Sequence, residues 1–392
     1  MEKLSFTLQL SVLVMGLTLT VIPGCKTATA PQAAECGAGS LPCEDNITEC
    51  CEVICPELHH HCGGFLTECC LDTTSHDFTW TIDTLGIYGS YLEDVAIIDE
   101  NNIWTVGDIE TDSGHFNLAK WNGENWILDQ VGPTGNNLYS IWYFYENDIW
   151  VTNVCSSYNW NGAEWIYYRF SSGGVGVDAC AGNAIWGSSP EDIWFVGSGG
   201  SIVHYDGRGF ERMESGTDVT LYSISATEYN NVWVSGWVNS NGDYRTVLLH
   251  FDGVEWQKKT DYSPPLGQSA DPDSLSGLIK GVFSTNQNDI FVSTSKGLYK
   301  CHVTTQGEGE LIIGSTNFYT SVMNEFDGSG GNDLFAAGSF SKIIHFNGST
   351  FQNYDELYYI GYIYGIDVKE NFIVAVGDFS STTGAMIIRG YR

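Results

Sequence analysis

The chain has 392 residues and carries 48 acidic side chains against 16 Lys and Arg, a formal net charge of -32. That balance excludes nucleic acid as a partner, because phosphate binding needs a basic face, and it disfavours anionic membrane surfaces; cations, cationic proteins and neutral glycans stay open. With 13 Trp, 21 Tyr, 19 Phe and 45 Gly, the composition is that of many short strands joined by turns, with no long helical periodicity in competition.

Residues 1–24 read as a secretory signal: Lys3 precedes an apolar run from Leu10 to Ile22 that is too short and too interrupted for a membrane span. Ile22, Pro23, Gly24 and Cys25 resemble the bacterial lipobox. The resemblance implies that Cys25 is acylated and becomes the new N-terminus, held in a membrane by fatty chains worth about 0.8 kcal/mol per buried methylene; an ordinary cleaved signal is the alternative. Lys26 stands where enterobacterial lipoproteins kept at the inner membrane carry an acidic residue, so the resemblance implies an outer-membrane or cell-surface address. Residues 25–35 form the anchor and a flexible tether.

Residues 36–76 hold Cys36, Cys43, Cys50, Cys51, Cys55, Cys62, Cys69 and Cys70. This density predicts an oxidising compartment and a disulfide-stapled segment too small for a core of its own. The spacing of the first six resembles that of inhibitor-cystine-knot peptides, while Cys69 and Cys70 depart from it, and no connectivity is assigned. His59, His60 and His61 beside Cys62 offer imidazole and thiolate, the ligands of borderline metals, as an alternative to oxidised pairs. No C-x-x-C-H occurs and no cofactor is expected.

From there a turn-and-strand motif recurs: NNIWTVG at 101–107, NDIWVTN at 147–153, EDIWFVG at 191–197, NNVWVSG at 230–236, NDIFVST at 288–294, NDLFAAG at 332–338 and NFIVAVG at 371–377. Seven copies spaced 39 to 58 residues apart predict an all-β, seven-bladed propeller of four-stranded blades over residues 77–392. About eight residues earlier stand Val95, Ile141, Ile185, Ile224, Val282, Phe326 and Gly365, marking the innermost strand of each blade. WNGENW, WNGAEW, YDGRGF, FDGVEW and FNGSTF predict Asp-Gly or Asn-Gly hairpins between third and fourth strands, whose turn residues both tolerate positive φ. The seventh repeat stops after its third strand. FTWTIDTLG at 78–86 copies ENWILDQVG at 124–132, with Trp80, Asp83 and Gly86 matching Trp126, Asp129 and Gly132. That orphan strand is expected to complete blade seven and to close the ring, leaving no open sheet edge.

These blades resemble the WD-repeat-like and Kelch-like bacterial propellers, although the Kelch double glycine is reduced to one, the fifth repeat lacks the hairpin turn and the WD dipeptide is missing. The resemblance implies architecture and leaves activity open.

The recurrent aromatics are expected to pack between blades, and His204, His250 and His345, at one repeat position in different blades, to be structural. Binding groups are sought on the loops at the entrance of the innermost strands, where the aligned residues are Glu93, Tyr139, Asn183, Tyr222, Lys280, Asn324 and Ile363. Long loops at 167–182 and 258–277 reach the same face; a Cys155–Cys180 disulfide is expected there, with Cys301 unpaired. DPDSLSG at 271–277 lacks the ligands of a calcium loop. No G-x-S-x-G, H-E-x-x-H or sialidase-type Asp-box occurs. The sequence is read as a lipid-anchored, extracytoplasmic propeller that binds a protein or glycan at the cell surface through its loop face, touching membrane only by its anchor. The alternatives are an envelope hydrolase or lyase using channel carboxylates, and metal binding by the Cys and His segment.

Overall fold

The computed structural model of the chain describes residues 40–43, 46–52, 59–61, 69–71, 73–240, 243–263, 275, 277–285, 289–302, 309–314, 323–358, 361–379 and 383–392. The chain divides into two compact units, 1–72 and 73–392. In the first, Ser40–Cys43 pairs antiparallel with Asn46–Glu52, and His59–His61 pairs with Cys69–Leu71, His61 opposite Cys69 and His60 opposite Cys70. The signal segment, Cys25, Cys36, Cys55 and Cys62 lie outside the described residues, and of Cys43, Cys50, Cys51, Cys69 and Cys70 the backbone alone is described. Among the described residues no helix is long and apolar enough to cross a membrane.

The second unit is a propeller of seven antiparallel four-stranded sheets. Their innermost strands are Tyr91–Asp99, Ser140–Tyr145, Ala184–Ser189, Leu221–Glu228, Ile279–Ser284, Met323–Gly330 and Tyr362–Lys369, here numbered blades one to seven. Six blades are built from consecutive strands; in the seventh, Thr79–Leu85 pairs along its whole length with Ala385–Tyr391 as the fourth strand. This clasp is tied to blade one as well. Asp83 pairs with Arg389 at 2.8 Å and accepts the Trp126 indole N–H at 3.2 Å, and the Arg389 guanidinium lies 4.1 Å above the Trp121 ring.

The residues just before the clasp belong to the propeller too. The Thr74 hydroxyl donates to the Asn332 carbonyl at 2.8 Å, the ring nitrogens of His76 and His345 meet at 2.8 Å, and Tyr354 donates to the His76 carbonyl at 2.9 Å. At the other chain end Arg392 grips both oxygens of Asp333, at 2.8 and 2.7 Å. Residues 74–76 thus pack with blade six, and the second unit begins at Thr73.

The recurrent motif has a physical cause. Its second residue, Asn102, Asp148, Asp192 or Asn231, accepts the indole N–H of the Trp two positions on, at 2.8 to 3.1 Å. In blades three, four and six a histidine on the third strand meets the same side chain, His204 to Asp192 at 2.7 Å, His250 to Asn231 at 2.8 Å and His345 to Asp333 at 2.9 Å. Each imidazole also stacks on the adjacent aromatic, at 4.1 to 4.3 Å. The three histidines are thus structural members of separate blades. Each aromatic packs into the following blade: Trp104 against Trp160 and Trp165, Trp150 against Tyr205 and Phe210, Trp194 against Phe251 and Trp256. In blade five the slot held elsewhere by Trp160, Tyr205, Phe251 and Phe346 is filled by Cys301, opposite Ile290, which is why this buried thiol is unpaired.

Two expectations about turns and register are corrected. The hairpins between third and fourth strands have four-residue loops, with Trp121 opposite Trp126, and only the glycine has positive φ. The Asn or Asp instead caps two amides with its side chain, as Asn122 does for Glu124 and Asn125 at 3.0 and 2.8 Å. The glycine is required by crowding as well: a Cβ on Gly162 or Gly253 would lie 2.8 Å from the Cβ of Asn147 or Asn230 in the neighbouring turn. In blade seven the apolar position belongs to Ile366, opposite Ala375, and not to Gly365.

Deleting Thr79–Leu85 leaves Ala385–Tyr391 as an open edge. The expected outcome is loss of the cooperative melt and self-association on size-exclusion chromatography; a monodisperse protein with an unchanged melting curve would contradict closure by this strand.

Candidate functional site

The seven innermost strands enclose a cavity of about 430 Å³, and the side chains that line it also hold the ring together. Level with Val95 and its register partners, one residue toward the loop face, Asp94, Ser140 and Ser223 accept the backbone amides of Ile141, Ile185 and Val282 in the next blade, at 2.9, 3.3 and 3.1 Å. One residue the other way, Ser225, Asp327 and Asp367 accept the amides of Ser284, Val368 and Ile97, at 2.9, 2.6 and 2.5 Å. Every acceptor belongs to one blade and its donor to the following one. Both junctions that border the clasped blade use aspartates, whose carboxyl oxygens accept these amides.

This gathers carboxyls from three blades in a confined space. Burial pushes Asp94 up to about 6, against the opposing hydrogen bonds from Ile141, Ser140 and Val95. Asp327 and Asp367 hydrogen-bond each other, and burial raises both, Asp327 well above the ordinary aspartate range. Glu325 is raised by burial first and then by Asp94 and Glu93.

At the loop-face mouth, several of the expected rim residues are the extra residues of β-bulges. The pairing shifts at Glu93, Tyr222, Lys280 and Asn324, and again at Tyr364 in blade seven. A bulge leaves its extra residue outside the ladder and re-aims it. Ile363 is not part of the rim: it is fully buried opposite Gly377, and Tyr364 takes that place. Asn183 is a tie between blades, its amide donating to the Leu221 carbonyl at 3.0 Å. The Asn324 side chain lies outside the described residues.

The remaining rim residues form two unlike walls. On one, Tyr222 lies 5.5 Å from Trp237, and the Lys280 ammonium sits 3.5 Å from the same indole, with burial lowering its pKa to about 8. On the other, Glu93 is raised to about 7 by burial and then by Asp94 and Asp378, among Tyr91, Tyr139 and Tyr364. Gly365 permits this crowding, since a Cβ there would lie 2.6 Å from the Asp94 Cα and 2.7 Å from the Glu93 carbonyl. Nearby, Cys155 and Cys180 are joined in a disulfide that ties two loops.

Sequence reasoning missed one further group. Asp108, Glu110 and His115, on the long hairpin of blade one, bring their ligand atoms within 4.8 Å of one another, with the His115 imidazole paired to Asp108. Three mixed ligands of this kind can contribute to a cation site but do not complete one. Of the segment 271–277, only Leu275 and Gly277 are among the described residues.

No protein-family model matches the chain, and no curated protein is similar to it. Solved structures do resemble it. YCF48 bound to a D1 peptide is 11% identical with a TM-score of 0.60, over 82% of this chain and 98% of that one. The WD40 β-propeller domain of Doa1 is 12% identical with a TM-score of 0.51, over 81% and 98%. The extracellular domain of the putative hybrid two-component system BT3049 from B. thetaiotaomicron is 14% identical with a TM-score of 0.55, over 79% of this chain and 42% of that one. The likeness establishes the propeller fold and, at these identities, nothing finer.

The carboxyl at the mouth gives a pH prediction. Because Glu93 is raised in the folded state to about 7, its stabilising protonation is fully present below the unfolded value near 4.3 and is lost as pH rises through about 7. His250, lowered by burial to about 4, acts in the opposite sense below about 6.5, so the difference between variants isolates the carboxyl. Glu93→Gln is expected to be more stable than the wild type at pH 8 and nearly equal to it at pH 4, measured by urea unfolding. A difference independent of pH would contradict the burial of this carboxyl.

Proposed function

We propose that the protein is an extracytoplasmic propeller, tethered through an acylated Cys25, whose loop face docks a protein partner. The observation that carries this reading is the uneven distribution of exposed apolar side chains. The loop face presents Tyr88, Val154, Tyr222, Phe340, Tyr358 and Tyr362, whereas the opposite face has Tyr145, Tyr229 and Val254 at its turns. Phe340 stacks with Tyr358 at 5.9 Å and Tyr362 with Tyr364 at 6.2 Å, so part of this surface is organised before any partner arrives. Pre-stacked tyrosines supply contact area at low entropic cost, the property that favours them at protein interfaces. A neighbouring propeller captured with a peptide supports the kind of role.

For the hydrolase alternative, one carboxyl pair of the channel is unsuited. Glycosidic cleavage places two carboxyls about 5–10 Å apart around the bond. Asp327 and Asp367 instead touch each other and are occupied by backbone amides of the next blade.

A photocrosslinking amino acid at Tyr222 or Tyr362, in cells that express the full chain, is expected to give protease-sensitive adducts, and the same residue at Tyr145 or Tyr229 to give none. Adducts from the opposite face alone, or adducts removed by glycosidase and not by protease, would overturn the protein-docking reading. For the tether, Cys25→Ala is expected to abolish labelling by a palmitate analogue and to release the protein from the membrane fraction; unchanged labelling would refute acylation at Cys25.

A further inference from the structure

We propose that the wall of the mouth formed by blades six, seven and one holds a single organic cation, the guanidinium or ammonium of an arginine or lysine side chain on the docked partner. This rests on the reading that the loop face binds a protein.

The pocket is unbalanced in charge, and no cation among the described residues pairs with its free carboxyls. Glu325 lines the cavity, is partly buried, and makes no hydrogen bond or ion pair among the described residues. It occupies the level at which Asp94, Ser140 and Ser223 accept an amide from the next blade, yet it takes no such bond. Its electrostatic neighbours are Asp94 and Glu93. Glu93 likewise makes no hydrogen bond, and the charges within its reach, Asp94 and Asp378, are acidic. Lys280 is engaged on Trp237 across the mouth. Lys369, at the far end of the channel, donates to the Ile98 carbonyl and the Tyr143 hydroxyl, at 2.7 and 2.5 Å. A buried carboxylate without a partner is costly, so two converging ones mark a place where an arriving cation gains most.

The surroundings select the kind of cation. Asp94 is already saturated, with Oδ1 accepting its neighbour Val95 amide at 2.8 Å and Oδ2 accepting Ser140 and Ile141 at 2.7 and 2.9 Å. Two free carboxyls fall short of the roughly six to eight oxygens of a calcium site. Tyr91, Tyr139 and Tyr364 stand around Glu93, and aromatic rings attract organic cations through their π-faces. An alkyl-borne cation on a side chain can also pass the rim and reach carboxyls recessed in the channel.

The test titrates the purified full chain with arginine amide, citrulline amide and calcium chloride, read by ligand-observed NMR. Arginine amide is expected to bind saturably and to be weakened about tenfold or more by Glu93→Gln and by Glu325→Gln, while the neutral isostere citrulline amide shows no saturation. Both variants are expected to melt no lower than the wild type, because each removes a buried charge, so a binding loss is not an unfolding artefact. Equal binding of the two amides, equal binding by the variants, or displacement of arginine amide by equimolar calcium would overturn the proposal. Loop-face photocrosslinks that persist alongside a null titration would locate the failure in the cation and not in the docking face.

Discussion

The structure depends on one strand pairing. Residues Thr79–Leu85 and Ala385–Tyr391 are about 300 positions apart in the chain, and their ladder converts a row of sheets into a ring. Closing so long a loop carries an entropic cost that grows only slowly with length, whereas the ladder removes two open edges at once. The side chains reinforce it on both flanks: Asp83 reaches Arg389 and the Trp126 indole, and Arg392 clamps Asp333 in blade six. Once the ring is closed, the innermost strands must converge, and the channel with its amide-accepting side chains follows.

That convergence explains where the charges are. Serines suffice between blades two and three and between four and five, but both junctions of the clasped blade use aspartates. The same choice concentrates carboxyls where water is scarce, and Asp327 and Asp367 meet there in a hydrogen bond with each other. Glu93 and Glu325 have no such partner among the described residues, and they lie toward the loop-face mouth of the channel. The strands that border the clasp thus bring one acidic cluster together.

The architecture was legible because its causes are local and repeated. An Asn or Asp that caps an indole two residues away leaves a short pattern in each blade, and the clasp betrayed itself because Trp80, Asp83 and Gly86 do in blade seven what Trp126, Asp129 and Gly132 do in blade one. What was misread depends on features that leave no local trace. A bulge just before the turn into the second strand, at Ile98, Phe144, Ser188, Thr227 and Ser329 in blades one, two, three, four and six, has no counterpart in blade seven, and counting spaces cannot see that; hence Ile363 was placed on the rim in place of Tyr364, and Gly365 was given the slot of Ile366. The channel cluster was invisible for another reason. Asp94, Glu325 and Asp367 look like scattered acids in a strongly acidic chain until the ring brings blades one, six and seven together.

The claim on which all of this rests is that the clasp makes the propeller one cooperative unit. Native-state hydrogen exchange of the amides in Thr79–Leu85 and Ala385–Tyr391, compared with those of the buried second strands such as Asp192–Val196, tests it most directly. The expected result is that both strands of the clasp share the slowest, globally limited exchange and respond to denaturant with the same slope as the inner blades. Exchange of the clasp by a low-energy local opening, while the remaining blades stay protected, would contradict the account.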